Sequence, residues 1–123
     1  DAVHRVRGPF NVTSVAQAAA LGALEDDAFV AKSVKHNNGE LDRLKPALEK
    51  MGFKVFPSVA NFLLIDFGSE KRAEEADVFL RSKGIVIRDM KAYGLAHCMR
   101  LSIGTTEAND DVLAAFDAFS KAS

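Results

Sequence analysis

The sequence predicts an α+β fold: a small, mostly antiparallel sheet with helices packed on one face. Three observations predict it. Apolar periodicity runs in the order helix, helix, strand, strand, helix, strand, strand, helix. The strands come in hairpin-like pairs, and their connections are too short for a doubly wound parallel sheet throughout. The 123 residues, 48% apolar or aromatic and 27% charged, suit one domain with its own core.

The opening segment, residues 1–12, is turn-rich and punctuated by Gly8-Pro9. Thr13 or Ser14 then caps a helix to about Leu24. Ala16, Ala18, Ala19, Ala20 and Ala23 make it a helix that neighbouring backbones can approach closely, so tight packing is expected. A second helix is predicted from Asp26 or Asp27 to Lys50. Val30, Val34, Leu41, Leu44, Leu48 and Met51 recur at helical spacing as one stripe, interrupted only by Asn37. Pro46 lacks the donor for the carbonyl of Asp42, which predicts a bend or break. Gly52 stops the helix.

Phe53–Phe56 alternates as a short strand, and Pro57-Ser58 turns the chain. The apolar run from Asn61 to Asp66 reads as a central strand buried on both faces. Arg72 to Lys83 is helical around Ala73, Ala76, Phe79 and Leu80, and Gly84 closes it. Ile85–Arg88 is a third strand and Met99–Ile103 a fourth. The last helix follows Gly104, capped by Thr105 or Thr106. Glu107, Asp110 and Asp111 suit the positive end of its dipole and Lys121 the negative end.

Sixteen Lys and Arg against seventeen Asp and Glu leave a net charge of −1. Such a chain presents no basic field for a nucleic acid or an anionic membrane. No apolar run approaches the roughly 20 residues of a membrane span. The single cysteine, Cys98, rules out an intramolecular disulfide and a multi-cysteine metal cluster, and it fits a reducing compartment. A cytoplasmic location is the expectation. The chain begins at Asp1 without an initiator methionine, which suggests a partial polypeptide.

Few residues point to chemistry by themselves. His4, His36 and His97 are scattered without ligand spacing, so no metal site is expected. His97 and Cys98 are adjacent, and strand alternation would send them to opposite faces, which argues against a thiolate–imidazole pair. Gly104-Thr105-Thr106 opens a helix and is accounted for by capping. Arg100 sits between Met99 and Leu101 in an apolar strand, where a charge needs a partner or a cleft. An internal salt bridge and a bidentate clamp on a ligand carboxylate both satisfy that need. Asn61 poses a similar choice between a strand-end hydrogen bond and a ligand contact.

Four stretches add a resemblance. Arg7-Gly8-Pro9-Phe10-Asn11-Val12, Ala60-Asn61-Phe62-Leu63-Leu64, Tyr93-Gly94-Leu95 and Met99-Arg100-Leu101-Ser102-Ile103-Gly104-Thr105 occur in this order. The chain thereby resembles the carboxy-terminal part of histidinol-phosphate aminotransferases, fold-type I enzymes that use pyridoxal phosphate. The resemblance implies that residues 13–123 are the small domain and residues 1–12 the connection from a missing large domain. It implies that Arg100 clamps the substrate carboxylate, with Asn61 and Asn11 in supporting positions. It also implies transamination between histidinol phosphate and 2-oxoglutarate in a homodimer.

The family's cofactor-bearing lysine lies in a segment this chain lacks. No catalytic or cofactor-binding residue is therefore expected here, and the chain alone should be inactive. An isolated small domain should also expose apolar surface, with the helix from Ala16 to Leu24 as the candidate. The same fold would serve an aromatic aminotransferase or a threonine-phosphate decarboxylase. A free-standing, non-catalytic module binding amino acids is the alternative from another class.

Overall fold

The computed structural model describes residues 12–122, together with Ala2 and Arg5. Asn11 and nearly all of the expected connecting segment lie outside the described residues. The chain divides into two units, Asp1–Val34 and Lys35–Ser123.

In the first unit, helix α1 spans Ser14–Leu24, and the Thr13 hydroxyl caps it by accepting from the Ala16 N–H at 3.2 Å. Asp26 caps the next helix by accepting from Phe29 N–H at 2.9 Å. The expected tight packing of α1 is not found: none of its residues is buried, and Val15, Leu21 and Leu24 are exposed. Alanine favours the helix whatever surrounds it, so the sequence pattern specified the helix without supplying a surface to cover it.

Helix α2 spans Asp27–Lys50 and is continuous through Pro46, so the break expected there is absent. Asp42 and Pro46 are both exposed, which leaves the undonated carbonyl accessible to water. Leu41, Leu44 and Leu48 of the predicted stripe are buried, whereas Val30 and Val34 are exposed.

The second unit is built on a sheet of β1 (Lys54–Val55), β2 (Phe62–Asp66), β3 (Arg88–Asp89) and β4 (Cys98–Ser102). The strand order is β1-β2-β4-β3 and every pairing is antiparallel. Helix α3 spans Glu70–Ser82 and α4 spans Thr106–Lys121. Leu63 and Ile65 stand opposite Leu101 and Met99 across the central pair. These four pack with Leu44 and Leu48 of α2, Ala76 and Leu80 of α3, and Val112 and Phe116 of α4. Phe53 meets Phe67 and Phe116 edge-on at 5.4 and 5.1 Å. The Leu41–Leu48 part of α2 thus shares one face of the sheet with α3 and α4, and the predicted α+β class is the observed one.

Two strand expectations need correction. Phe62, Leu64 and Asp66 are half-buried, so β2 is central but fully buried on one face only. The run Ile85–Arg88 is not a strand throughout; the ladder begins at Arg88 and ends at Asp89. The Ile85 N–H is already spent on the Leu80 carbonyl at 2.9 Å, closing α3 beyond Gly84, where φ is 78°. Ile87 still enters the core.

Helix α3 starts two residues before its predicted boundary because Ser69 caps it, accepting from the Arg72 N–H at 3.2 Å. Ser69→Ala is expected to cost about 1 kcal/mol, read as a lower urea midpoint with an unchanged m-value. Thr105 caps α4 in the same way, accepting from Ala108 N–H at 3.3 Å. Among the described residues no helix is long and apolar enough to cross a membrane.

Candidate functional site

The sheet face away from the helices carries Arg100. Antiparallel register places Leu64 of β2 on one side of it and Arg88 of β3 on the other. Arg100 is half-buried, and its guanidinium lies 5.2 Å from the centre of the Phe62 ring. Its Nε is buried and makes no hydrogen bond among the described residues. Arg88 reaches Tyr93: its Nη2 stands 3.5 Å from the hydroxyl, and its guanidinium 5.7 Å from the ring centre.

Neither arginine enters an ion pair among the described residues. Two like charges directly across a strand pair repel each other, an arrangement that an anion between them would relieve. A cleft of roughly 440 Å³ runs along this edge, lined by Arg81, Arg88, Asp89, Arg100, Ser102 and Asn109 among others. Asn61 does not line it. Asn61 is exposed at the start of β2, where its carbonyl accepts from Ile103 N–H at 2.9 Å and extends the ladder. Sequence reading missed Arg88, although its place at the end of the Ile85–Ile87 run was a signal comparable to that of Arg100.

Polar side chains of α2 hold the end of the sheet that leads out of Arg100's strand. His36 Nε2 lies 2.8 Å from the Gly104 carbonyl, and Asn37 donates to the Ala60 carbonyl at 3.2 Å. Glu40 is buried. It accepts from Asn109 Nδ2 at 2.8 Å, Arg43 Nη2 at 2.7 Å and the Thr106 hydroxyl at 3.0 Å. Asn109 accepts from the Gly104 N–H at 3.0 Å and donates to the Gly104 carbonyl at 3.2 Å. A Cβ on Gly104 would come within 3.3 Å of Ala108 Cβ and 3.4 Å of Asn109 Oδ1. The polar break at Asn37 is therefore the start of a second, hydrogen-bonding stripe on α2.

Burial raises the Glu40 carboxyl's affinity for protons, but the Arg43, Asn109 and Thr106 donors outweigh it and hold the group below its ordinary range.

His97 and Cys98 do not diverge as expected. His97 precedes β4, so strand alternation does not govern it, and its ring nitrogens share a cluster with Cys98 Sγ and an Asp66 oxygen.

No lysine lines the cleft, and all nine are exposed except the half-buried Lys45. Lys91 is bound by Glu74 and Glu70, which push its proton affinity well above the ordinary lysine range.

A family model for class I and II aminotransferases matches residues 1–116 of this chain. A histidinol-phosphate aminotransferase from Granulibacter bethesdensis is 47% identical over 119 residues, which are 97% of this chain and 32% of that protein. One from Rhodopseudomonas palustris is 47% identical over 121 residues, covering 97% of this chain and 33% of that protein. The crystal structure of the Sinorhizobium meliloti histidinol-phosphate aminotransferase in complex with pyridoxal-5'-phosphate superposes with a TM-score of 0.84 at 25% identity. That match covers 98% of this chain and 33% of the other. The chain thus spans about a third of the length of the curated relatives it matches.

Proposed function

The chain belongs to the class I and II aminotransferase family, and from that premise we propose that it is the small, carboxy-terminal domain of a histidinol-phosphate aminotransferase. In this reading residues 13–123 form the domain, and residues 1–12 lead in from a large domain. The complete enzyme is a cytoplasmic homodimer using pyridoxal phosphate. When bound, that cofactor supplies the electron sink that lets a proton leave the substrate carbon bearing nitrogen. The task of this chain is to hold the substrate so that this carbon is correctly presented.

The observation that carries the reading is the Arg100–Arg88 pair at a cleft that also includes Asp89, with neither arginine in an ion pair among the described residues. Histidinol phosphate presents a phosphate and 2-oxoglutarate presents carboxylates. Arginine's planar fork pairs bidentately with both. One anion site can therefore serve both half-reactions in turn, with Arg100 as its central donor. Asn61 contributes through its backbone bond to Ile103, which aligns β2 with the strand bearing Arg100.

The full-length enzyme is expected to transfer the amino group of histidinol phosphate to 2-oxoglutarate. Turnover of aromatic amino acids alone, or carbon dioxide release from threonine phosphate, would overturn the substrate but leave the family intact. The 123-residue chain itself is expected to show no transamination and no lysine-linked cofactor absorbance when mixed with pyridoxal phosphate. An absorbance band abolished by replacing one lysine would refute the assignment of the cofactor site to the large domain.

A further inference from the structure

Asp66 ends β2 and Cys98 begins β4, and the two are directly paired in register. The ladder continues one step further, with the Phe67 N–H donating to the His97 carbonyl at 2.9 Å. Three donor atoms are thereby gathered: an Asp66 carboxylate oxygen, a His97 ring nitrogen and Cys98 Sγ all lie within 4.8 Å of one another. Cys98 is 1% exposed, the Asp66 side chain 12%, and His97 is half-buried. Neither His97 nor Cys98 has a role in the anion cleft of the proposed function.

We propose that Asp66, His97 and Cys98 form a three-ligand binding site for a zinc-type divalent cation. One oxygen, one imidazole nitrogen and one sulfur make a donor set suited to zinc or cobalt, whereas magnesium and calcium take oxygen. The donors stand on two paired strands rather than on a free loop. The Gly68 N–H donates to Asp66 Oδ1 at 2.8 Å and orients the carboxylate, as an outer-shell partner does at metal sites.

Lys54 already places its ammonium 3.2 Å from Asp66 Oδ2, although its side chain is 69% exposed and free to leave. Metal entry displaces the Lys54 ammonium, forms the metal–sulfur bond and releases the thiol proton to solvent, with no change of oxidation state. Three protein ligands leave a fourth tetrahedral position for water.

The test is titration of the full chain, carrying no histidine tag, with Co²⁺ alone and then Zn²⁺ in competition. One equivalent of Co²⁺ is expected to bind and give thiolate-to-cobalt charge-transfer absorption, which Zn²⁺ bleaches. Cys98→Ser should abolish that absorption. Because Cys98 is buried, two more accessible positions keep the test decisive if that variant fails to fold. His97→Ala should weaken binding by more than the roughly 10–100-fold typical of losing an outer-shell partner. Lys54→Met should tighten it by about fivefold, the effect of removing one solvent-screened positive charge. Absence of the charge-transfer band at saturating Co²⁺, or a band that survives Cys98→Ser, overturns the proposal. Unchanged affinity in both His97→Ala and Lys54→Met does the same. None of these outcomes depends on transamination, so failure here leaves the proposed function standing.

Discussion

Arg100→Ala in the full-length enzyme is expected to lower kcat/KM by roughly 30- to 1000-fold, with a large share of the loss in KM. The estimate takes about 2–4 kcal/mol for truncating one side of a charge-assisted bidentate pair, at 1.36 kcal/mol per factor of ten. The effect is placed in substrate binding because the guanidinium has no ion pair among the described residues; its one described contact is the ring of Phe62 at 5.2 Å. A cation–π contact at a partly exposed site is worth about 0.5–1 kcal/mol, so stability should change little. Arg100→Lys should recover only part of the activity, since an ammonium supplies charge without the planar fork. Steady-state kinetics and thermal unfolding on the same preparations decide the matter. Unchanged kinetics beside a large fall in Tm would return Arg100 to a structural role.

The fold was legible wherever a short-range signal decides the structure. Thr13, Asp26 and Thr105 each carry a side-chain oxygen directly before a helical pattern, and each caps a helix in the structure, whereas Ser69 caps α3 two residues ahead of the start its apolar pattern gave. The β2 and β4 strands were readable as two apolar runs, and the structure pairs them so that Leu63 and Ile65 stand against Leu101 and Met99.

What was not legible depends on residues far apart in the chain. Phe62 and Leu64 are as apolar as Leu63 and Ile65, so composition alone could not show that one face of β2 stays half-open. The exposure of α1 could not be read either, because no pattern within a helix shows whether another surface covers it. Arg88 closes an apolar run much as Arg100 interrupts one, but only the β3–β4 register shows that the two stand side by side. Asp66 and Cys98 are separated by all of α3 and β3, and only strand pairing brings them together. Arg100 itself was visible, because a lone charge between Met99 and Leu101 demands an explanation at any stage.

Glu40→Ala is expected to destabilise the chain by about 3 kcal/mol and lower Tm by roughly 10 °C or more. The carboxylate accepts three hydrogen bonds, from Asn109, Arg43 and Thr106, and hydrogen bonds to a charged group are worth about 1.5–3 kcal/mol each. The full sum does not apply. Arg43 is 37% exposed and can turn to water, where it also keeps Asp110. Asn109 is 1% exposed and cannot, so its lost acceptor dominates the cost. Glu40→Gln should recover only part of the loss, because its amide NH₂ would face donors rather than acceptors.

The pH dependence has a definite sign. The folded carboxyl binds protons more weakly than its ordinary value of 4.5. Its contribution is therefore complete above that pH and is lost as pH falls through the folded value. Between neutrality and acid the wild type should lose stability that Glu40→Gln has already lost, so the two denaturation profiles converge as pH drops. Parallel profiles would mean that Glu40 does not titrate with folding. A double-mutant cycle with Asn109→Ala supplies the second check. Side chains sharing one hydrogen-bond network should couple by about 0.5–3 kcal/mol. Strict additivity would show that the two side chains do not act together in clamping Gly104, whose N–H and carbonyl close the strand that carries Arg100.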